Sequence, residues 1–145
     1  NVMVALDVYR RHFKPSKVLD KPYFISSFGV MAADDEQEAK RQSWAYSHAM
    51  MRMSTRRSFV VPTPENSENY QYSATEHELI TMWNTKTLKG TGEQVIEQLN
   101  AWQQRVEADE LMILNLGHTP QAIHRSTELI ADAFGLPKNV LSKTN

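Results

Sequence analysis

Residues 22–33, PYFISSFGVMAA, are apolar on both alternating sets of positions and rich in aromatic and β-branched side chains. That pattern predicts a strand buried on both faces, as in a parallel sheet, with Pro22 at its start where a missing N–H does least harm. An acidic helix start, Asp34-Asp35-Glu36-Gln37, follows without a break: Asp34 can cap, Gln37 stands three residues on, and the acidic first turn suits the helix dipole. A strand running straight into a capped helix is the beginning of a βα unit, and it restricts the chain to a few architectures.

The rest of the chain repeats the alternation. Val2, Leu6, Tyr9 and Phe13 make a helical stripe that Pro15 ends. The helix after Asp34 carries one stripe at Ala39, Ser43, Tyr46, Met50 and Met53 and another at Trp44, His48 and Met51, so it is expected to pack on two sides. Arg52, Arg56 and Arg57 give it a basic end. Residues 58–75 read as a long irregular loop, with a helix from about Thr75 to Trp83. A short strand over Lys86–Lys89 stops at Gly90. An amphipathic helix follows, with Val95, Ile96, Leu99, Trp102 and Val106 inward. Leu111–Leu114 reads as another strand buried on both faces. Thr119-Pro120 opens a last helix, with Ile123, Ile130 and Phe134 inward, which Gly135-Leu136-Pro137 ends. This order implies right-handed βαβ connections and an α/β fold with parallel strands. Three strands alone leave two open edges, so part of a larger sheet or barrel is expected.

Composition narrows the functional classes. A chain of 145 residues, 41% hydrophobic and 23% charged, suffices for one domain with a core. A net charge of -1 builds no field for nucleic acid or an anionic membrane, and no apolar run reaches the roughly 20 residues that span a bilayer. Cysteine is absent, which removes disulfides and thiolate metal sites, and the expected compartment is cytoplasmic. The helical stripe already running at Val2 leads us to expect a segment of a longer protein.

Four stretches then carry a family resemblance. Tyr9-Arg10-Arg11-His12-Phe13-Lys14-Pro15-Ser16 with Leu19-Asp20-Lys21-Pro22-Tyr23 resembles the YRRxFxPSxxLDxPY segment of the luciferase-like flavin-dependent monooxygenases. GVMAADDEQEA (29–39) is similar to that family's NVIAADTDEEA, and residues 88–98, LKGTGEQVIEQ, to its VGSPETVRRGL. Ala108-Asp109-Glu110-Leu111-Met112, with Arg125-Ser126-Thr127-Glu128-Leu129, resembles its closing ADELMV and RSxELL. The four occur in the family's order. The resemblance implies the C-terminal part, about three βα units over residues 1–145, of a TIM-type (β/α)8 barrel. It also implies reduced FMN and dioxygen as partners in oxidising a small organic substrate, and a flavin reductase as electron source; the open sheet edges separately lead us to expect a homo-oligomer. The family's main flavin-phosphate grip lies earlier than this stretch, so the chain alone is expected to be inactive. The alternative from another class is a free-standing, non-catalytic α/β interaction domain that uses the loop 58–75 and the sheet edges.

The pocket wall that the resemblance implies would draw on Ser27, Met50, Thr91, Asn115 and His118. Ser27 is a small polar residue in an apolar strand, and a serine there either faces a barrel interior or bonds a nearby carbonyl. Met50, with Met51, Met53 and Trp44, suits either an apolar pocket or ordinary core packing. Thr91-Gly92-Glu93-Gln94 fits a capping box. The rival reading, a phosphate cradle at a helix N-terminus, is opposed by the charge of Glu93. Asn115 and His118 stand at and just beyond the end of the third strand, where barrel active sites lie. Arg125 is expected to pair with acids such as Glu128. His12, His48, His77, His118 and His124 show no metal-ligand spacing, and no hydrolase, P-loop or dinucleotide motif is present.

Overall fold

The computed structural model describes residues 2–55 and 59–137. The basic helix end expected at Arg56 and Arg57 lies outside the described residues. In chain order the elements are α1 (Val2–His12), β1 (Ile25–Ala32), α2 (Glu36–Ser54), α3 (Pro64–Glu68), α4 (Ala74–Asn84), β2 (Leu88–Gly90), α5 (Gly92–Val106), β3 (Glu110–Asn115) and α6 (Pro120–Ala133).

The three strands are parallel, in the order β2-β1-β3. Three strands that followed one another round a barrel would lie in chain order, whereas here β1 is central. The registers explain how it holds both neighbours. β3 pairs along Ile25–Val30, and β2, only three residues long, takes the other edge of β1 at Val30–Ala32.

The two sheet faces differ in cover. On one face α5 and α6 pack Val95, Leu99 and Ile130 against Val30, Ala32 and Leu88, with Phe28, Trp102, Leu111, Ile113 and Leu129 around them. On the other face α2 covers only the C-terminal end, where Met31, Ala33, Ala39 and Leu116 meet Tyr46. The strands are therefore not buried on both faces throughout, as their composition suggested. Met112 and Leu114 are 53% and 57% exposed and Ile25 is 42% exposed, because no helix reaches the first half of that face. α1 is attached by Leu6 against Val106 and Ala108, and by Arg10, whose guanidinium donates to the carbonyls of Val106 (2.7 Å) and Glu107 (3.0 Å). Of the expected α1 stripe, only Leu6 is buried.

Helix starts follow local chemistry with one exchange. Asp35, not Asp34, caps α2, accepting from the Glu38 N–H at 2.9 Å. Asp34 is drawn instead to Arg125 on α6, which reaches it through Nε at 3.1 Å and also contacts Glu128 at 3.4 Å. The Arg125 hydrogen bond holds the Asp34 carboxyl below its ordinary range. The stretch 58–75 is less irregular than expected. Thr63 and Ser73 both have side chains that accept an N–H three residues on, which starts α3 and α4. Arg41 of α2 then clamps α3, bonding Glu68 (2.6 Å) and Glu65 (3.1 Å) as well as its own neighbour Glu38 (2.8 Å).

Candidate functional site: the uncovered sheet face

The uncovered half of the sheet has a simple origin. In a strand, alternate side chains point to opposite faces. Phe28, Leu111 and Ile113 go toward α5 and α6, so Ile25, Ser27 and Gly29 of β1, with Met112 and Leu114 of β3, share the other side. Ser27 stands beside Met112 in the register with its hydroxyl exposed, and Glu110, opposite Ile25, brings an exposed carboxylate to the lower end of the same side. A Cβ at Gly29 would meet Leu116 Cδ1 at 2.9 Å, so glycine lets Leu116 fold over the strand and close the upper edge of the face.

Beyond Leu116 the rim is built by α2 and the segment after it. Tyr46 meets the ring of Phe59 edge-on, with centroids 6.4 Å apart, and burial pushes the Tyr46 phenol up. His118 Nδ1 lies 3.3 Å from the Val61 carbonyl. A carbonyl only accepts, so Nδ1 carries the proton in this bond, and a neutral ring then leaves Nε2 as an acceptor. Phe59 and Val60 are exposed. Met50 is half-buried, one turn beyond Tyr46 on the same stripe of α2. The arrangement is a shallow, mostly apolar wall with one hydroxyl in it, the Glu110 carboxylate at its lower end and an imidazole at its upper end. Such a surface can seat a flat apolar ligand and exclude water from one side of it. Among the described residues it carries no cationic side chain to hold a phosphate.

Two of the residues expected at the site have other work. Asn115 accepts from Ser126 Oγ at 2.7 Å and donates to Thr127 Oγ1 at 2.8 Å, while Ser126 Oγ accepts from the buried Ala32 N–H at 2.9 Å. This chain of bonds fastens α6 to the sheet, so Asn115 is turned away from the uncovered face. Thr91 is committed to the α5 cap: its side chain accepts from the Gln94 N–H, its own N–H donates to Gln94 Oε1 at 2.9 Å, and its hydroxyl contacts Glu93 at 2.9 Å. A cap of this kind contributes about 1 kcal/mol. Ser27 and His118 remain at opposite parts of the uncovered face. Met112, Leu114, Tyr46 and Phe59 complete it and were not singled out in the sequence, because an all-apolar run does not reveal which alternate residues stay uncovered. Among the described residues, no cluster of three or more His, Cys, Asp or Glu side chains is placed to hold a metal ion, and no helix is long and apolar enough to cross a membrane.

Comparison with known proteins adds a separate line. No protein-family model matches the chain. YvbT of Bacillus subtilis, an uncharacterized protein, is 26% identical over 134 residues, which cover 92% of this chain and 40% of YvbT. YddN of the same organism, also uncharacterized, is 31% identical over 113 residues, covering 77% of this chain and 33% of YddN. A luciferase-like monooxygenase of Escherichia coli K12 is 27% identical over 128 residues, 88% of this chain and 38% of that protein. The crystal structure of apo-MsnO8 superposes with a TM-score of 0.76 at 24% identity, covering 93% of this chain and 41% of MsnO8, a likeness of fold. The chain thus spans about two fifths or less of each relative's length. Its fold is that of a segment of MsnO8, and its homologues include a luciferase-like monooxygenase.

Proposed function

We propose that this chain is the C-terminal part of an FMN-dependent luciferase-like monooxygenase, and that its uncovered sheet face is one inner wall of a (β/α)8 barrel. The observation that carries the reading is the contrast between the two faces. One is packed by α5 and α6, while the other presents Ile25, Ser27, Met112 and Leu114 to nothing among the described residues. An apolar face of this kind calls for a partner layer. Relatives matched over only part of their length offer one within the same polypeptide. β1 and β3, paired over six residues, would be neighbouring barrel strands, with β2 a short rim on the far edge of β1.

The residues present fit a flavin as a wall and not as a grip. Reduced FMN, when bound, would supply the electrons that activate dioxygen for oxidation of a small organic substrate. Met112 and Leu114 would exclude water from that space, Ser27 would offer a hydroxyl to a polar edge, and His118 would orient a group at the mouth through Nε2. Met50 would back the rim. Residues outside this chain would hold the phosphate. A flavin reductase, a homo-oligomeric state and a cytoplasmic location belong to the same reading.

The test is flavin binding and flavin-dependent oxygen uptake by the longest natural protein that contains this chain. We expect that protein to bind reduced FMN and this chain alone not to bind it. Ser27→Leu in the longer protein is expected to weaken FMN binding about tenfold, roughly 1.4 kcal/mol. A longer protein that neither binds FMN nor takes up dioxygen with it would overturn the assignment. The uncovered face and sheet edges would then be those of an interaction domain.

A further inference from the structure

A second polar cluster lies away from the uncovered face. His48 of α2 is 3% exposed, with the rings of Tyr70 and Tyr72 edge-on to it at 4.7 and 5.4 Å between centroids. Its Nδ1 is 2.8 Å from the Tyr72 hydroxyl and 3.2 Å from Ser67 Oγ. Tyr72 donates its own proton to the Ser67 carbonyl at 2.9 Å, so Nδ1–H is the donor to the Tyr72 oxygen. One imidazole thereby clips both the end of α3 and the extended residues after it onto α2.

We propose that residues 69–73 form an acid-released strap, latched to α2 by His48 and hinged at the Arg41 clamp on α3. The charges around the imidazole decide the direction. Arg52 follows one turn later on α2, and its Nε is buried without a hydrogen-bond partner. Glu76 of α4 is engaged by the Tyr70 hydroxyl (3.1 Å) and by Ser73 N–H (3.0 Å). His77 of α4 packs against Tyr72 and Trp44, and Glu65 and Glu68 of α3 are taken by Arg41. Among the described residues His48 makes no ion pair with a carboxylate. A second proton would therefore create a buried cation beside Arg52. Burial first, and Arg52 second, hold His48 below its ordinary value, against a smaller opposing pull from the Glu76 carboxylate.

The sign follows from linkage. A histidine whose pKa is lowered in the closed state stabilises closure above its open-state value of about 6.5, and that stabilisation is lost as the pH falls toward the closed-state value. The Arg41 clamp outlasts the latch, because Arg41 holds the Glu68 carboxyl below its ordinary range, and the Glu65 carboxyl is held low by its own backbone N–H first and by Arg41 second. α2 is anchored in the core through Ala39 and Tyr46, so the strap is the element that moves.

Amide hydrogen exchange of residues 69–73, corrected for the intrinsic effect of pH, tests this. Opening that takes up a proton at about pH 6.5 grows as the pH falls, by at most about tenfold at pH 5.5. Strap protection should fall, by up to that factor, between pH 7.5 and 5.5, while β1 stays protected. His48→Gln should make strap protection independent of pH, and Tyr72→Phe should lower it at both pH values. The proposal fails if strap protection is unchanged at pH 5.5, if it falls in step with β1, or if the pH response survives in His48→Gln. It stands or falls independently of the flavin reading.

Discussion

Leu99→Ala is expected to lower the stability of the fold by about 2–5 kcal/mol, the range for truncating a buried leucine. Leu99 is fully buried in the cluster that joins α5 to Val30, Ala32 and Leu88 of the sheet and to Ile130 of α6. The cost has two parts: the transfer free energy of the lost atoms, and the cavity that two helices and a sheet cannot close without shifting together. Urea unfolding should show a lower midpoint at an unchanged slope. The same truncation at Leu114 gives the informative contrast. In this chain alone Leu114 lies on the uncovered face, so Leu114→Ala should change stability by no more than about 0.5 kcal/mol. If a longer protein that contains this chain closes a barrel over that face, as proposed above, Leu114→Ala there should approach the Leu99 value. Equal, small effects in both settings would mean that nothing covers the face.

The second large effect is expected at Gly92. Alanine ordinarily stabilises a helix relative to glycine by about 0.5–1 kcal/mol. Here the added Cβ would lie 2.5 Å from the Leu129 carbonyl oxygen and 3.3 Å from the Ala133 Cβ. Gly92 is buried at the first position of α5, where that helix presses on the backbone of α6. Backbone cannot step aside as a flexible side chain can. Overpacking of this kind costs about 1–3 kcal/mol, which exceeds the propensity gain, so Gly92→Ala should destabilise. A rise in the unfolding midpoint would show that α6 yields more readily than its hydrogen bonds to the sheet through Ser126 and Asn115 suggest.

The stretch Thr91-Gly92-Glu93-Gln94 shows what was legible in the chain and what was not. Its capping box was readable, because the bonds run between residues three apart. The close approach of α6 was not, since Leu129 is 37 positions away and nothing near Gly92 signals it. Asp34 and Asp35 differ in the same way. Both have the chemistry of a cap, and the choice fell to Asp35 only because Arg125, far along the chain, holds Asp34. The site divides similarly. Ser27 and His118, expected from their positions along β1 and after β3, lie on the uncovered face, whereas Asn115, equally well placed in sequence, is consumed by Ser126 and Thr127. The latch at His48 joins residues from α2, α3 and the extended residues after α3, so its parts are unrelated until the chain folds.

Order along the chain was therefore enough for the capping box of α5, which closes within one turn, for the parallel α/β class and for the absence of thiol chemistry, while helical stripes marked candidate faces of which only part is buried, as Leu6 in α1 and Ile130 in α6 show. Strand order, the face left without a helix, and the partner of each polar side chain depended on segments distant in sequence meeting in space. Hydrophobic pattern states how much surface must be buried, and only the packing of helices on a sheet decides which side of the sheet is left to do it.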